Sequence, residues 1–226
     1  MKNLFLIPAR SNSKRLKDKN LANLASRPLI YHTIKICENF KKTADIFVSS
    51  DSSKILNYCK KFSFIKTRKR PKKFATNKSN LVDVAFDVLK NLNNFTYENI
   101  ILLQPTSPLR TAEDLKKCLK IFDKKKLQSL TTVSKIREKL DELIKNQNNS
   151  WKYIFSKKSR LLKQDCDYID GSIYISSCDF LKKYKSFVVE GKTKLIKLNN
   201  EYNVDVDYAH DLVLAKFFLE NRNVKK

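Results

Sequence analysis

Glycine, proline and paired cysteines are scarce in this chain of 226 residues. It has two Gly and five Pro, which excludes collagen-like and glycine-rich low-complexity proteins. Its five Cys are scattered without a CxxC pair, which argues against a disulfide framework or zinc site and predicts reduced core thiols. No apolar run reaches membrane-spanning length and no signal-peptide core follows Met1, so we expect a soluble, cytoplasmic protein with no membrane partner.

Acidic residues are also few, at 23 against 47 basic ones, and the formal net charge is +24. Such a charge suggests nucleic acid as a partner, because Lys and Arg neutralise phosphates. Only nine of the 47 are Arg, however, and the lysines are spread over nearly every predicted helix, beside 20 Asn. We therefore predict a solvated surface and no nucleic-acid partner, although an anionic small substrate fits the charge equally well.

Buried strands alternate with amphipathic helices along most of the chain. Hydrophobic residues make up 42%, enough for one sizeable core. The helices include one with Pro28 in its first turn, one capped by Ser79 and one capped by Thr111. Strands are predicted at residues 4–7, 46–48, 64–66, 99–103, 130–133, 171–176 and 195–198. The pattern predicts an α/β domain with a mostly parallel sheet.

The periodicity breaks between about residues 134 and 170. This polar stretch carries Trp151, Tyr153 and Phe155 with neither a helical nor a strict strand period. It indicates an insertion or small subdomain whose aromatic side chains need a partner surface.

Three loops follow predicted strands, where ligands of open α/β sheets bind. Residues 7–20 carry five basic side chains suited to a polyphosphate, without a Walker or GxGxxG motif; a solvated basic loop is the alternative. Gln104 opens a loop stiffened by two prolines, and a purely structural turn is equally compatible. Asp205 and Asp207 alternate along a predicted strand, which places both carboxylates on one face as a clamp for Mg²⁺, or merely as solvated groups.

The three loops together resemble one family, the acylneuraminate cytidylyltransferases or CMP-sialic acid synthetases. IPARSNSKRLKDKNL resembles the family's IPARGGSKGIPGKNI, LLQPTSPLR matches almost letter for letter, and VDVDYAHDL resembles IDxDxxxDL. Gln164-Asp165 through Tyr174 resembles the family's RRQD followed by NGAIY. The matches run in the family's order from residue 4 to about 212.

This resemblance implies a Rossmann-like nucleotide-diphospho-sugar transferase fold that transfers CMP from CTP to the anomeric hydroxyl of an acidic nine-carbon, sialic acid-like sugar. It implies an α/β domain of residues 1–134 and 171–226, and an inserted dimerisation subdomain, 135–170, that makes a homodimer. Trp151 and Phe155 are candidate interface anchors. It also implies catalytic roles for Arg10, Lys19 and Lys163, sugar contacts by Gln104 and Lys163, and a Mg²⁺ site at Asp205 and Asp207. The nucleotide-binding residues it implies are Arg10, Ser11, Asn12, Lys19, Asn20, Arg70 and Ser79.

The chain departs from the family where small residues matter. Ser11 and Asn12 replace two glycines, and a serine at a positive φ would be strained. Lys163 replaces an arginine, so a bidentate carboxylate clamp would become a point charge. The rival activities are cytidylyl transfer to legionaminate, pseudaminate or Kdo, or a catalytically silent basic binding protein. Methylerythritol-phosphate cytidylyltransferases fit less well because they open with PAAGxGxR.

Overall fold

The computed structural model describes residues 2–11, 13–76, 79–92, 97–136, 142–147, 150–155, 166–198 and 203–221. Asn12 and Lys163 lie outside these residues. The main-sheet strands are β1 (Asn3–Pro8), β4 (Ala44–Ser50), β5 (Ile65–Lys69), β6 (Asn99–Leu102), β7 (Ser129–Lys135), β10 (Asp167–Ser177) and β11 (Lys194–Lys197). Two small hairpins are formed by β2 (Asn23–Leu24) with β3 (Arg27–Pro28) and by β8 (Ile144–Gln147) with β9 (Ser150–Tyr153).

Six α-helices accompany the strands in the described residues. They are α1 (Leu29–Cys37), α2 (Ser53–Cys59), α3 (Leu81–Lys90), α4 (Ala112–Lys124), α5 (Cys178–Tyr184) and α6 (Ala209–Glu220). No helix in the described ranges has the length and apolar character needed to cross a membrane.

The seven main strands form one sheet in the order β11-β7-β10-β6-β1-β4-β5. All neighbours pair in parallel except β10, which runs antiparallel to both β6 and β7. The prediction of a mixed, mostly parallel sheet is therefore confirmed. Parallel pairing brings the carboxyl ends of β1, β4 and β6 to one edge of the sheet.

The core lies on both faces of the central strand β1. Leu4 and Leu6 pack with α3 and α5 on one face, whereas Phe5 and Ile7 pack with α1, α2 and α4 on the other. All four side chains are fully buried, and each contributes about 2 kcal/mol of transfer free energy. Two-sided burial explains why β1 reads as a continuous apolar run.

The helix caps agree with the sequence prediction in one case and differ in another. Thr111 caps α4 through a capping box in which its hydroxyl accepts from Asp114 N, as predicted. Ser79 does not cap α3, because Asn80 takes that position and its side-chain oxygen accepts from Val82 N at 3.0 Å. The prediction for Ser79 is wrong by one residue.

The predicted strand carrying Asp205 and Asp207 is not a strand. Residues 203–207 form an extended segment that lies outside every sheet. Val204 and Val206 are nevertheless buried, while Asp205 is exposed and Asp207 partly so. Val206 N donates to Thr106 O at 2.8 Å, which ties the segment to the loop after β6. Buried and exposed side chains therefore alternate along the segment, although no described strand pairs with it.

Helix α6 buries only a narrow face. Ala215 is buried, whereas Leu212 and Phe218 are only partly buried. Val213 and Phe217 expose 71% and 57% of their surfaces. The expectation that all five cysteines are core thiols is wrong at one position, since Cys166 is only half-buried while the other four are buried.

The segment predicted to be aperiodic contains the β8–β9 hairpin. Trp151 contacts Tyr153 edge-to-face, with ring centroids 5.3 Å apart, and both are exposed. The predicted segment boundaries at 135 and 170 fall inside β7 and β10, because these strands extend further than the apolar pattern indicates.

Candidate active site

The candidate site lies at the edge where β1, β4 and β6 end. The loop of residues 9–20 leaves β1, Asp51 follows β4, and Gln104 lies just beyond β6. The segment of residues 203–207 approaches the last of these loops. Four segments distant in sequence therefore meet at one edge.

The basic loop after β1 is held by its own side chains. The Asn20 amide, which is buried, donates to Arg10 O at 2.9 Å and so closes the loop on itself. The Arg10 guanidinium donates through Nη1 to Thr76 O at 3.0 Å. Arg10 and Asn20, two predicted nucleotide-binding residues, are thus brought together with the segment that follows β5.

Ser11 adopts the loop conformation without the strain expected of it. It is absent from the described residues with positive φ. Its backbone N and Oγ donate to the two oxygens of Asp51, at 2.8 and 2.5 Å. Burial raises the pKa of Asp51, but these hydrogen bonds outweigh it and the net pKa is lowered. The serine that replaces a family glycine therefore anchors the loop to the end of β4.

The left-handed residue of this loop is Asp18, at φ 49° and ψ 31°. The family string has glycine at this position, where a positive φ carries no Cβ penalty. Aspartate tolerates this conformation better than most residues. Asp18 precedes the short 3₁₀ turn Lys19–Leu21, so the turn presents Lys19 to the site.

Arg70 lies beneath the loop rather than open to solvent. It is 4% exposed, and its guanidinium donates to Ser49 Oγ at 3.1 Å and Ser49 O at 2.6 Å. Burial lowers its pKa to about 10, partly offset by Asp51, so it stays charged at neutral pH. Ser79 accepts from Thr76 N at 2.9 Å, a contact that shapes the segment touched by Arg10.

Gln104 faces Gly171, which lies in β10 where the pairing with β7 shifts register. Its Nε2 lies 3.5 Å from Gly171 O, at the limit of a hydrogen bond. Gly171 has φ +72°, and a Cβ there would lie 3.1 Å from the same Nε2. Glycine thus serves both the backbone conformation and the close approach of Gln104.

Sequence reasoning missed Arg110, the last residue of LLQPTSPLR. It is 2% exposed, and burial lowers its pKa to about 10. It donates to Ser172 O, to Thr33 Oγ1 at 2.9 Å and to Gln104 O at 3.2 Å. Arg110 therefore joins the Gln104 loop to β10 and α1 from below the site. Its place at the end of the matched motif was the available signal.

Asp207 lies between two cations. Lys19 Nζ is 2.8 Å from one carboxylate oxygen, and Arg15 Nη2 is 2.6 Å from the other. Lys19 was a predicted site residue, whereas Arg15 was counted only among the basic residues of its loop. Both oxygens of a predicted metal ligand are thus neutralised by protein groups.

Asp205 lies beside this cluster on the same extended segment. Loss of hydration among the surrounding protein groups raises its pKa although the residue has exposed surface. A hydrogen bond from Thr106 opposes that shift, and the charge of Asp207 adds to it. Asp205 and Asp207 are therefore close enough to repel each other, as expected for ligands of one cation.

The donor set fits a Mg²⁺ ion shared with a nucleotide better than a fully protein-held ion. No group of three or more His, Cys, Asp or Glu suited to a metal occurs within the described ranges. Mg²⁺ commonly takes one or two carboxylates and completes its shell with water and substrate phosphates. Two carboxylates beside a basic loop meet that requirement.

Asp211, the last acidic residue of the VDVDYAHDL string, has a structural role. Its carboxylate accepts from Asp207 N at 2.8 Å and from Tyr208 N at 2.7 Å. These bonds form a capping box at the start of α6 and fix the backbone of Asp207. The third aspartate therefore positions Asp207 rather than joining the candidate metal ligands.

Comparison with solved structures defines the class of this architecture. A CMP:2-keto-3-deoxy-manno-octonic acid synthetase complexed with CTP superposes with a TM-score of 0.70 at 16% identity, covering 98% of this chain and 100% of that one. The likeness confirms the predicted Rossmann-like α/β fold.

Sequence comparison identifies the family. The cytidylyltransferase family matches residues 4–214. The chain is 30% identical over 226 residues to the CMP-N,N'-diacetyllegionaminic acid synthase of Legionella pneumophila, with 97% of each covered. It is 28% identical to the N-acylneuraminate cytidylyltransferase of Streptococcus agalactiae over 94% of this chain but about half of that one, 52%. The chain belongs to the cytidylyltransferase family, and the predicted resemblance is confirmed.

Proposed function

We propose that this protein transfers CMP from CTP to the anomeric hydroxyl of a nonulosonic acid and releases pyrophosphate. The observation that carries the proposal is the meeting of the basic loop after β1 with Asp205 and Asp207 at the sheet edge, in a chain of this family. The acceptor oxygen would form a bond to the α-phosphorus while the bond to the β-phosphate bridging oxygen breaks. The hydroxyl proton leaves to a base or to water.

The residues of the loop would supply charge and position. Arg10, Lys19 and Arg15 are cations at the edge where a triphosphate would lie, and such groups stabilise charge that develops during phosphoryl-type transfer. Asp205 and Asp207 would hold Mg²⁺, which neutralises charge at the reacting phosphate when bound. Gln104 would contact the sugar from the other side of the cleft. Asn12, Ser79 and Lys163 remain predicted contacts.

The acceptor sugar is the open part of the proposal. The names of the two relatives favour an N-acylneuraminate or a diacetyllegionaminate, and pseudaminate and Kdo are the alternatives. All are acidic 2-keto-3-deoxy sugars, so the excess of basic residues suits each of them. Replacement of the loop glycines was one argument for a catalytically silent binding protein. That argument is weakened at Ser11, which occupies its loop position without a positive φ.

We also propose that the protein acts as a homodimer through the inserted segment. Trp151, Ile154 and Tyr153 expose 57%, 56% and 41% of their surfaces on or beside the β8–β9 hairpin. A large exposed apolar patch of this kind marks a protein interaction surface. A partner's segment would then bring its Lys163 toward the sugar.

Pyrophosphate release tests the proposed reaction. The protein is mixed with CTP, Mg²⁺ and each of the four acceptor sugars in turn, and the product is identified by mass. One sugar should support turnover well above the others. The Asp207→Asn variant is assayed in the same way. Its control is Asp179→Asn, which removes one negative charge from a remote, 89% exposed carboxylate. Absence of pyrophosphate release with every acceptor contradicts the proposal.

A further inference from the structure

Arg15 and Lys19 both contact the carboxylate of Asp207, but Arg15 reaches it from the solvent side. Its side chain is 55% exposed, whereas that of Lys19 is 12% exposed. Both bind the same carboxylate, yet Lys19 is packed into the loop and Arg15 reaches it from outside. Of the two, Arg15 has the freedom to leave Asp207.

A second contact, with Tyr208, holds Arg15 beside Asp207. Its guanidinium carbon lies 5.3 Å from the centre of the Tyr208 ring. A hydrogen bond with Tyr208, followed by attraction to Asp207, raises its pKa. The tyrosine ring thus holds the guanidinium beside the carboxylate.

The contact also has a consequence for a divalent cation. A metal that binds Asp207 through the oxygen that Arg15 approaches at 2.6 Å would meet a like charge there. Glycine occupies position 15 in the family string, so this competing charge is a feature of the present chain.

We propose that Arg15 occupies the metal-binding face of Asp207 in the nucleotide-free protein and moves onto the triphosphate when nucleotide and metal bind. The proposal rests on the proposed function of the site. Arg15 then opposes binding of a divalent cation alone and favours binding of the nucleotide. Nucleotide binding therefore prepares the carboxylate for the metal.

Two binding measurements on the full-length protein test this exchange. Mn²⁺ binding is followed by electron paramagnetic resonance without nucleotide, and CTP binding by calorimetry in EDTA. Arg15→Gln should bind Mn²⁺ roughly tenfold more tightly, since a unit charge next to a divalent ion is removed. The same variant should bind CTP several-fold more weakly. Lys17→Gln is the control, because it removes the same charge from an exposed position in the same loop.

The opposite signs of the two effects distinguish exchange from a structural role. If Arg15 merely held the loop in shape, its loss would weaken both ligands. Unchanged or weaker Mn²⁺ binding in Arg15→Gln, unchanged CTP binding, or an equal Mn²⁺ gain in Lys17→Gln overturns the proposal. Failure of the proposed function would instead appear as no CTP binding by the wild-type protein.

Discussion

Replacement of Arg110 by Met should destabilise the protein far more than replacement of an exposed arginine. Arg110 is 2% exposed and still charged at neutral pH, with a pKa lowered by burial to about 10. It serves three acceptors on three segments: Ser172 O, Gln104 O and Thr33 Oγ1. Met fills much of the same volume but donates to none of them.

The size of the effect follows from those acceptors. Ser172 and Thr33 are buried, and each buried acceptor left without a donor costs about 1–3 kcal/mol, whereas Gln104 O keeps a donor in Ser107 N at 3.3 Å. Recovered burial of an apolar side chain offsets part of this sum, so we expect a net loss of about 2–4 kcal/mol in the free energy of unfolding. Arg110→Lys should lie between Met and wild type, because one ammonium on a flexible stem cannot reproduce the planar fork.

Urea unfolding monitored by circular dichroism measures this loss. Arg27→Met is the matched control, since Arg27 is exposed and its guanidinium lies 5.3 Å from the centre of the Tyr31 ring. That control should cost at most about 1 kcal/mol. A loss for Arg110→Met no larger than the control would refute the reasoning that this buried cation holds the Gln104 loop.

Four other predictions concern the candidate site and its surroundings. Asp207→Asn keeps size but removes charge, so pyrophosphate release should fall at least a hundredfold while the unfolding curve changes little; wild-type rates with unchanged Mg²⁺ dependence would contradict the metal role. Ser11→Gly removes a hydrogen bond that lowers the pKa of Asp51. A carboxylate with a lowered pKa adds stability above its unfolded value near 3.9, and this stability is lost as the pH falls through the folded value. Wild type should therefore lose more unfolding free energy than Ser11→Gly when the pH is lowered from 7 to 3. Trp151→Asp should shift the protein from dimer toward monomer in analytical sedimentation. Mixing Lys163→Ala chains with Asp207→Ala chains should restore activity if each active site contains residues of both subunits.

Features set by local patterns could be predicted from the sequence. The apolar run of β1 predicted a central strand because both its faces are buried. Thr111 predicted a cap because its hydroxyl and the Asp114 carboxylate satisfy amides within four residues. The alternation of Asp205 and Asp207 predicted that both carboxylates share one face, and the intervening Val204 and Val206 are buried although no described strand pairs with the segment.

Features set by contacts distant in sequence could not be predicted. Arg15 and Asp207 are 192 positions apart, and only the folded sheet edge brings them together. The strain expected at Ser11 did not arise, because Asp51 accepts two hydrogen bonds from it and the backbone needs no positive φ there. The left-handed turn lies instead at Asp18, which a string comparison could have indicated through the glycine it replaces.

The antiparallel direction of β10 has a consequence for how the inserted segment can change over evolutionary time. The chain leaves the sheet at Lys135 and returns at Asp167, and these two residues are partners in the ladder. Ile136 N donates to Cys166 O at 2.9 Å, which closes the neck one step further out. Because loop-closure entropy grows only slowly with length, segments of different size can be spliced above this neck at little cost to the sheet. The segment above this neck can therefore differ in length between related chains while the ladder between β7 and β10 stays the same.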